Sequence, residues 1–517
     1  MSARGGGAAP HAGPTAWLLL GLFAAALRWI RWERTAVLFN DGPVFIELAR
    51  ALARGDVAAA LAHDYHPLYP AAIALFAPAV GDFELAGAVV SIVGGALATV
   101  ALAWLMAGAY GPRTGLVAGW LAAVHPIAIE VSADVQSEGL YLAFFAASVA
   151  LSLAVLRRGR ARAAVGAGLA SGAAYLVRPE GLGAGLGLLA ALAGLAILRR
   201  LPAGRALGLG AVAAAGIGVA VAPYAALLSW EAGEVVLTRK KSLEDLTGLS
   251  LRFRLPAEVR PPAAGPPRVG TPEPASPSRA AEERGLAAGL ADLGETTLST
   301  LRPEFLLLLL VGLRRRAPPD PARTWLLGAL LLLFGAVLAL MALEVGYVSR
   351  RHVLPPALLL LGRMALGVEG IAAWLAARIR SRDPARGAAA SIAIAALAVA
   401  APALGKALRP ARTDALPERR AAEWLAASGL PSGRLAAHRR RVAYYAGLPY
   451  QPLRLVPDAR PRAYLADEGV RYVIADLEEY PWVTRESGLR PLHFEEHEGI
   501  RVGVFEVVPA GPVREGG

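Results

Sequence analysis

Apolar runs of roughly 18 to 25 residues recur along the chain, separated by short polar stretches, and runs of that length are what a helix needs to cross a bilayer. The pattern predicts about eleven spans, at 15–32, 86–107, 113–130, 137–156, 163–179, 182–198, 206–229, 303–313, 324–345, 353–377 and 387–405. From 406 on the pattern changes. "RRAAEWLAASGL" has helical spacing, "GVRYVIADLEE" and "IRVGVFEVV" are rich in strand-forming residues, and "VAYYAGLPYQP" ends a helix at a glycine. The expected fold class is a polytopic α-helical membrane protein over 1–405 with a small C-terminal α/β domain over 406–517.

Composition supports the membrane reading: 55% of the 517 residues are hydrophobic, and the mean hydropathy is +0.46. The first apolar run lacks a small-residue cleavage site and is followed by many more, so it reads as a retained helix and not a signal peptide. The net charge of +12 does not point to nucleic acid, because the arginines cluster in short stretches between spans. "RRGRAR", "RRLPAGR", "RRRAPPDPAR" and "RIRSRDPAR" all fall inside if the N-terminus is cytoplasmic. The same assignment puts outside the loops 33–85 and 230–302, the second of them Pro-rich, together with the C-terminal domain. With no cysteine, disulfides, thiolate metal sites and cysteine nucleophiles are excluded.

Several cations break the sidedness rule. Arg178 in "YLVRPEG", Arg350, Arg351 and His352 in "GYVSRRHVLP", and Arg239 to Lys241 in "LTRKK" all fall at outer span ends. They read either as snorkelling side chains at the headgroups or as ligands of an anion, and arginine forks suit phosphate.

The acids lie nearby in sequence. "FNDGPVFIELARAL" predicts an interfacial helix with Pro43 near its start and Phe45, Leu48, Ala49 and Leu52 on one face, leaving Asn40 or Asp41 as a helix cap or a functional group. The same loop carries "HDYHPLYP", in which His63, Asp64, Tyr65 and His66 gather without a specific ligand spacing, so a divalent metal stays an open option. Glu130, Asp134 and Glu138, four apart, would share a helical face. Exposure at the surface is the preferred reading for the first two, and Glu138, at the start of a span, is the functional candidate.

Taken in order, the acid after the first span, "HPLYP", "SEGLYLAFF", "YLVRPEG", "SRRHVLP" and the α/β tail resemble membrane glycosyltransferases of the C-type superfamily. The closest likeness is to the bacterial protein O-mannosyltransferase and lipid A aminoarabinose transferase group. That resemblance implies a multi-pass protein of the bacterial plasma membrane. It would transfer a sugar from a polyprenyl-phosphate carrier to a protein, lipid or glycan acceptor at the extracytoplasmic face, with inversion. Carried over by position, it matches Asp41 and Glu138 to the catalytic acids and His66, Arg178 and either Arg350 or Arg351 to substrate binding; Tyr69, within "HPLYP", and His352, beside the arginine pair, complete the expected substrate-binding set. One departure is Asn40, where many relatives carry a second acid. The residues fit this chemistry, since an ionised Asp41 is a suitable base and arginines suit a departing phosphate. A transporter or flippase of an anionic or lipid-linked substrate is the alternative, although no inverted halves are visible.

Overall fold

The structure, a computed structural model, describes residues 13–239, 253–254, 286–378, 384–454, 464–465 and 468–508. The Pro-rich stretch between 255 and 285, Lys240 and Lys241 lie outside the described residues. The chain forms two compact units, one taking it up to Ile30 and from Leu48 to Leu408, the other taking Arg31–Glu47 and the chain from Arg409 on.

In chain order the helices are α1 (Pro14–Glu33), α2 (Gly42–Ala53), α3 (Val57–Leu61), α4 (Leu68–Val80), α5 (Phe83–Tyr110), α6 (Pro112–Val124), α7 (Pro126–Glu130), α8 (Glu138–Arg158), α9 (Ala161–Val177), α10 (Leu182–Ile197), α11 (Ala203–Ala232), α12 (Leu286–Leu301), α13 (Pro303–Leu313), α14 (Pro321–Leu340), α15 (Arg350–Leu359), α16 (Leu361–Ala376), α17 (Pro384–Ala407), α18 (Leu416–Ala427) and α19 (Arg440–Ala446). Among the described residues six are long and apolar enough to cross a membrane, in α5, α8, α10, α11, α14 and α17. Two bent pairs, α12 with α13 at 90° and α15 with α16 at 61°, raise the number to eight.

The expected spans differ from these helices where the backbone breaks. The run 113–130 is not one helix: His125 is extended, as a residue before proline prefers, and Pro126 starts α7. The short run 303–313 is the second half of a bent pair whose corner is Arg302, at a positive φ of 61°, followed by Pro303. Helix α9, at 17 residues, is short for a span.

Helix α5 packs against α6 and α8, α9 against α8 and α11, and α13 against α16. Small residues permit the closest of these approaches. A Cβ on Gly94 would stand 2.6 Å from the Leu140 backbone nitrogen, and one on Gly139 would stand 2.4 Å from the Ser91 carbonyl oxygen. This contact fixes the height of the start of α8 against α5.

After a two-residue ribbon of β1 (Glu234–Val235) and β2 (Phe253–Arg254), the remaining strands among the described residues belong to the second unit. They are β3 (Arg434–Ala437), β4 (Tyr450–Pro452), β5 (Val470–Asp476), β6 (Leu489–His497) and β7 (Ile500–Val507), in the order β4-β3-β5-β7-β6. β3 runs parallel to β4 and β5, while β5, β7 and β6 are antiparallel. Along β5 the side chains alternate faces. Tyr472 and Ile474 join Ala421, Leu425, Val442 and Val504 beneath α18 and α19, and Val473 and Ala475 join Tyr480, Val483 and Phe505 on the other face. Gly447, left-handed at φ 64°, ends α19 where the sequence predicts a helix stop.

Candidate active site

Glu138 is the first residue of α8, and its side chain is only 4% exposed. Arg178, at the C-terminal cap of α9, donates Nη1 to Glu138 Oε1 at 2.7 Å and Nη2 to Glu180 Oε1 at 3.2 Å. Arg351, the second residue of α15, donates Nη1 to the same Glu138 oxygen at 3.2 Å. Three residues singled out separately for their charge thus meet at one atom. A buried carboxylate is costly unless paired and hydrogen-bonded, and the two guanidiniums supply both. Because the carboxylate fixes both forks at once, the geometry suits it to orienting the arginines.

Glu180 is a member of this group that the sequence reading passed over, although it stands two residues after Arg178 in "RPEG". The Arg178 guanidinium carbon also lies 6.0 Å from the ring centroid of Tyr141, one helical turn into α8. Arg350 does not join the cluster. It pairs with Glu130 at 3.6 Å, both side chains being about two-fifths exposed. His352 lies at the start of α15, its Nδ1 facing the Ser349 backbone nitrogen and hydroxyl in a capping box and its ring edge-on to Tyr347 at 6.2 Å.

Two expectations about acids are corrected. Glu130, Asp134 and Glu138 do not share a helical face, because α7 ends at Glu130 and α8 begins at Glu138. Asp134 is not exposed but 1% accessible, its carboxylate accepting the Val135 N–H at 2.7 Å within the intervening turn.

That turn, residues 131–137, is held from two sides. Tyr69 is fully buried, its hydroxyl 2.7 Å from Ser91 Oγ and donating to the Gly87 carbonyl at 3.1 Å, and Ser91 donates to the Gln136 carbonyl at 2.7 Å. From the other side Arg28, buried in α1, donates Nε to Ser132 Oγ at 2.7 Å and Nη1 to its own Ala24 carbonyl at 2.9 Å. The signal for Arg28 was available, since it is an arginine inside an apolar run. Ser91 and Ser132 carry no such signal.

His66 is also buried. Its Nδ1 faces the Tyr175 carbonyl and its Nε2 lies 3.1 Å from Thr238 Oγ1, with the Tyr175 and Tyr224 rings at 4.7 and 5.3 Å. In the same loop His63 and Asp64 pair at 2.6 Å. Among the described residues no three His, Cys, Asp or Glu side chains gather as a metal site would require.

Asp41 belongs to the other compact unit. It immediately precedes α2, and its carbonyl accepts the Phe45 N–H at 3.2 Å, the first bond of the helix, so its backbone occupies the cap position. Helix α2 differs from an interfacial helix with a single buried face, because Val44 and Ile46 are buried together with Phe45, Leu48 and Ala49.

Residues 64–230, which include His66, Glu138 and Arg178, match the family model described as dolichyl-phosphate-mannose-protein mannosyltransferase. No curated protein matches the sequence. Among solved structures, ArnT from Cupriavidus metallidurans bound to undecaprenyl phosphate aligns with a TM-score of 0.61 at 14% identity, over 97% of this chain and 100% of that one. The oligosaccharyltransferase of Archaeoglobus fulgidus, in complex with Zn and sulfate, aligns with a TM-score of 0.53 at 12% identity, over 90% of this chain and 68% of that one. The chain shares the fold of these two membrane proteins. Within this shared fold, the family-matched segment contributes Glu138, Arg178 and Glu180, and α15, beyond that segment, contributes Arg351.

Proposed function

We propose that this protein is an inverting glycosyltransferase that moves a sugar from a polyprenyl-phosphate carrier to an acceptor hydroxyl at the extracytoplasmic membrane face. The observation that carries the reading is the sharing of Glu138 by Arg178 and Arg351, in a chain that shares its fold with ArnT, a protein solved with undecaprenyl phosphate bound. A guanidinium has five N–H donors, so the two bonds from Arg178 to carboxylates leave donors for a phosphate. Glu138 holds the two forks in place.

In this mechanism Asp41 takes the proton from the acceptor hydroxyl as its oxygen forms a bond to the anomeric carbon. The bond from that carbon to the carrier phosphate breaks on the opposite face, and the phosphate leaves with the electron pair. A single displacement of this kind inverts the sugar carbon. Charge growing on the leaving phosphate is stabilised by Arg178 and Arg351, which require no rearrangement as it develops. The orientation follows from the arginine clusters, with the N-terminus cytoplasmic, about eleven helical crossings and the C-terminal domain outside.

The test is incubation of purified protein with labelled polyprenyl-phosphate sugars, scoring acceptor-dependent release of the lipid phosphate and the anomeric configuration of the product. Movement of the lipid-linked sugar across a vesicle without transfer would replace this reading with that of a flippase. A reporter fused at the C-terminus that is active only in the cytosol would overturn the orientation.

A further inference from the structure

The "VAYYAGLPY" motif of the C-terminal unit has no part in the chemistry above, and its second tyrosine makes an unexpected contact. Tyr445, on α19, accepts the backbone N–H of Leu38 at its hydroxyl at 2.9 Å, across 407 residues. It is one of a series of bonds between the tail and the segment that bears Asp41. Arg412 donates Nη1 to the Val37 carbonyl at 2.8 Å, with its guanidinium 5.6 Å from the Phe39 ring. Arg419 donates Nη1 to the Ala36 carbonyl at 2.9 Å and lies 4.9 Å over the Tyr445 ring. Thr35 bridges to Ala411 in parallel fashion, the Ala36 N–H reaching the Ala411 carbonyl at 3.0 Å. Beyond Asp41, Arg440 pairs with Glu47 at 3.3 Å.

These contacts fall on both sides of Asp41, and four of them go to main-chain groups of consecutive residues, 36, 37 and 38. Main-chain anchoring sets the path of the segment whatever its side chains are. A residue whose task is to meet a reacting proton gains from such fixing, since small displacements of reacting groups cost large factors in rate.

We infer that the C-terminal α/β domain is the positioning element for Asp41, with Tyr445, Arg412 and Arg419 as positioning residues that act through the 35–47 segment. The inference rests on Asp41 being the base of the proposed transfer.

The experiment is a double-mutant cycle on the full-length protein. Tyr445→Phe removes only the hydroxyl that holds Leu38, and Arg419→Met removes the bond to Ala36 and the stack on Tyr445. Each is expected to lower kcat about tenfold while carrier-lipid Kd and thermal stability stay near the wild type. In an Asp41→Asn background the same changes are expected to lower the residual rate less than about twofold, because residues acting through one group are not additive. Equal losses in both backgrounds, or unchanged kcat in both variants, would overturn the inference while leaving the transferase reading intact. Wild-type turnover by Asp41→Asn itself would overturn the base assignment, and this inference with it.

Discussion

Arg351 reaches Glu138 across 213 residues of sequence, Nη1 to Oε1 at 3.2 Å, whereas its immediate neighbour Arg350 turns to the more exposed Glu130. Adjacent arginines that look equivalent in "SRRHVLP" therefore have different environments. Arg351→Lys keeps the charge but loses the planar fork, and carrier-phosphate affinity is expected to fall about tenfold. Arg350→Ala breaks an exposed pair of the kind that contributes at most about 1 kcal/mol, so affinity and stability should change little. Titration of both variants with undecaprenyl phosphate decides the matter, and equal effects at the two positions would remove Arg351 from the site.

The start of α8 is set by close packing on α5. A methyl group at residue 139 would stand 2.4 Å from the Ser91 carbonyl oxygen and 3.0 Å from Ser132 Cβ. Gly139→Ala is expected to destabilise the protein by about 1 to 3 kcal/mol through overpacking and to weaken carrier binding by displacing Glu138. Gly218→Ala, in α11, meets nothing within 4 Å and should stay within about 1 kcal/mol of the wild type. Thermal melts in detergent separate the two, and matched melting curves would contradict the packing argument.

Asp41 can be tested apart from its place at the helix start. Asparagine caps a helix about as well as aspartate, so Asp41→Asn should alter stability by well under about 1 kcal/mol. An amide is no base, and transfer should fall about 100-fold or more with carrier binding retained. Near-normal transfer by a folded variant would leave Asp41 as a cap alone.

In the tail, Glu418 accepts Arg441 Nε at 3.0 Å and Nη2 at 3.3 Å and lies 3.1 Å from His438 Nε2. Burial works to raise its carboxyl, but the bonds and charges of His438 and Arg441 outweigh that and bring it from 4.5 down to about 2. The unfolded chain thus takes up the proton at higher pH than the folded one. The stabilising contribution is fully present above about 4.5, declines as pH falls, and is gone below about 2. Pepsin cleavage of the full-length protein within the tail should accelerate across that window, and Glu418→Gln should be cleaved readily throughout it. Parallel pH profiles for the two proteins would refute the assignment.

Period and composition in the sequence determined the membrane class, the helical character of most spans, the α/β texture of the tail and the helix stop at Gly447, because each depends on burial patterns or backbone preferences local to a few residues. The sequence also picked out Glu138, Arg178 and Arg351, since ionised groups at span ends are conspicuous among apolar neighbours. Tertiary structure alone decided that these three converge on one carboxylate oxygen, that Arg350 pairs with Glu130 instead, and that Tyr69 and Asp134 are buried. It also decided which spans break, because a helix interrupted at His125 or Arg302 has the same average hydropathy as an unbroken one. The attachment of residues 35–47 to the tail was beyond any local reading. It consists of hydrogen bonds between main-chain groups, which every sequence possesses, and side chains nearly 400 residues away, so only the folded path of the chain brings them together.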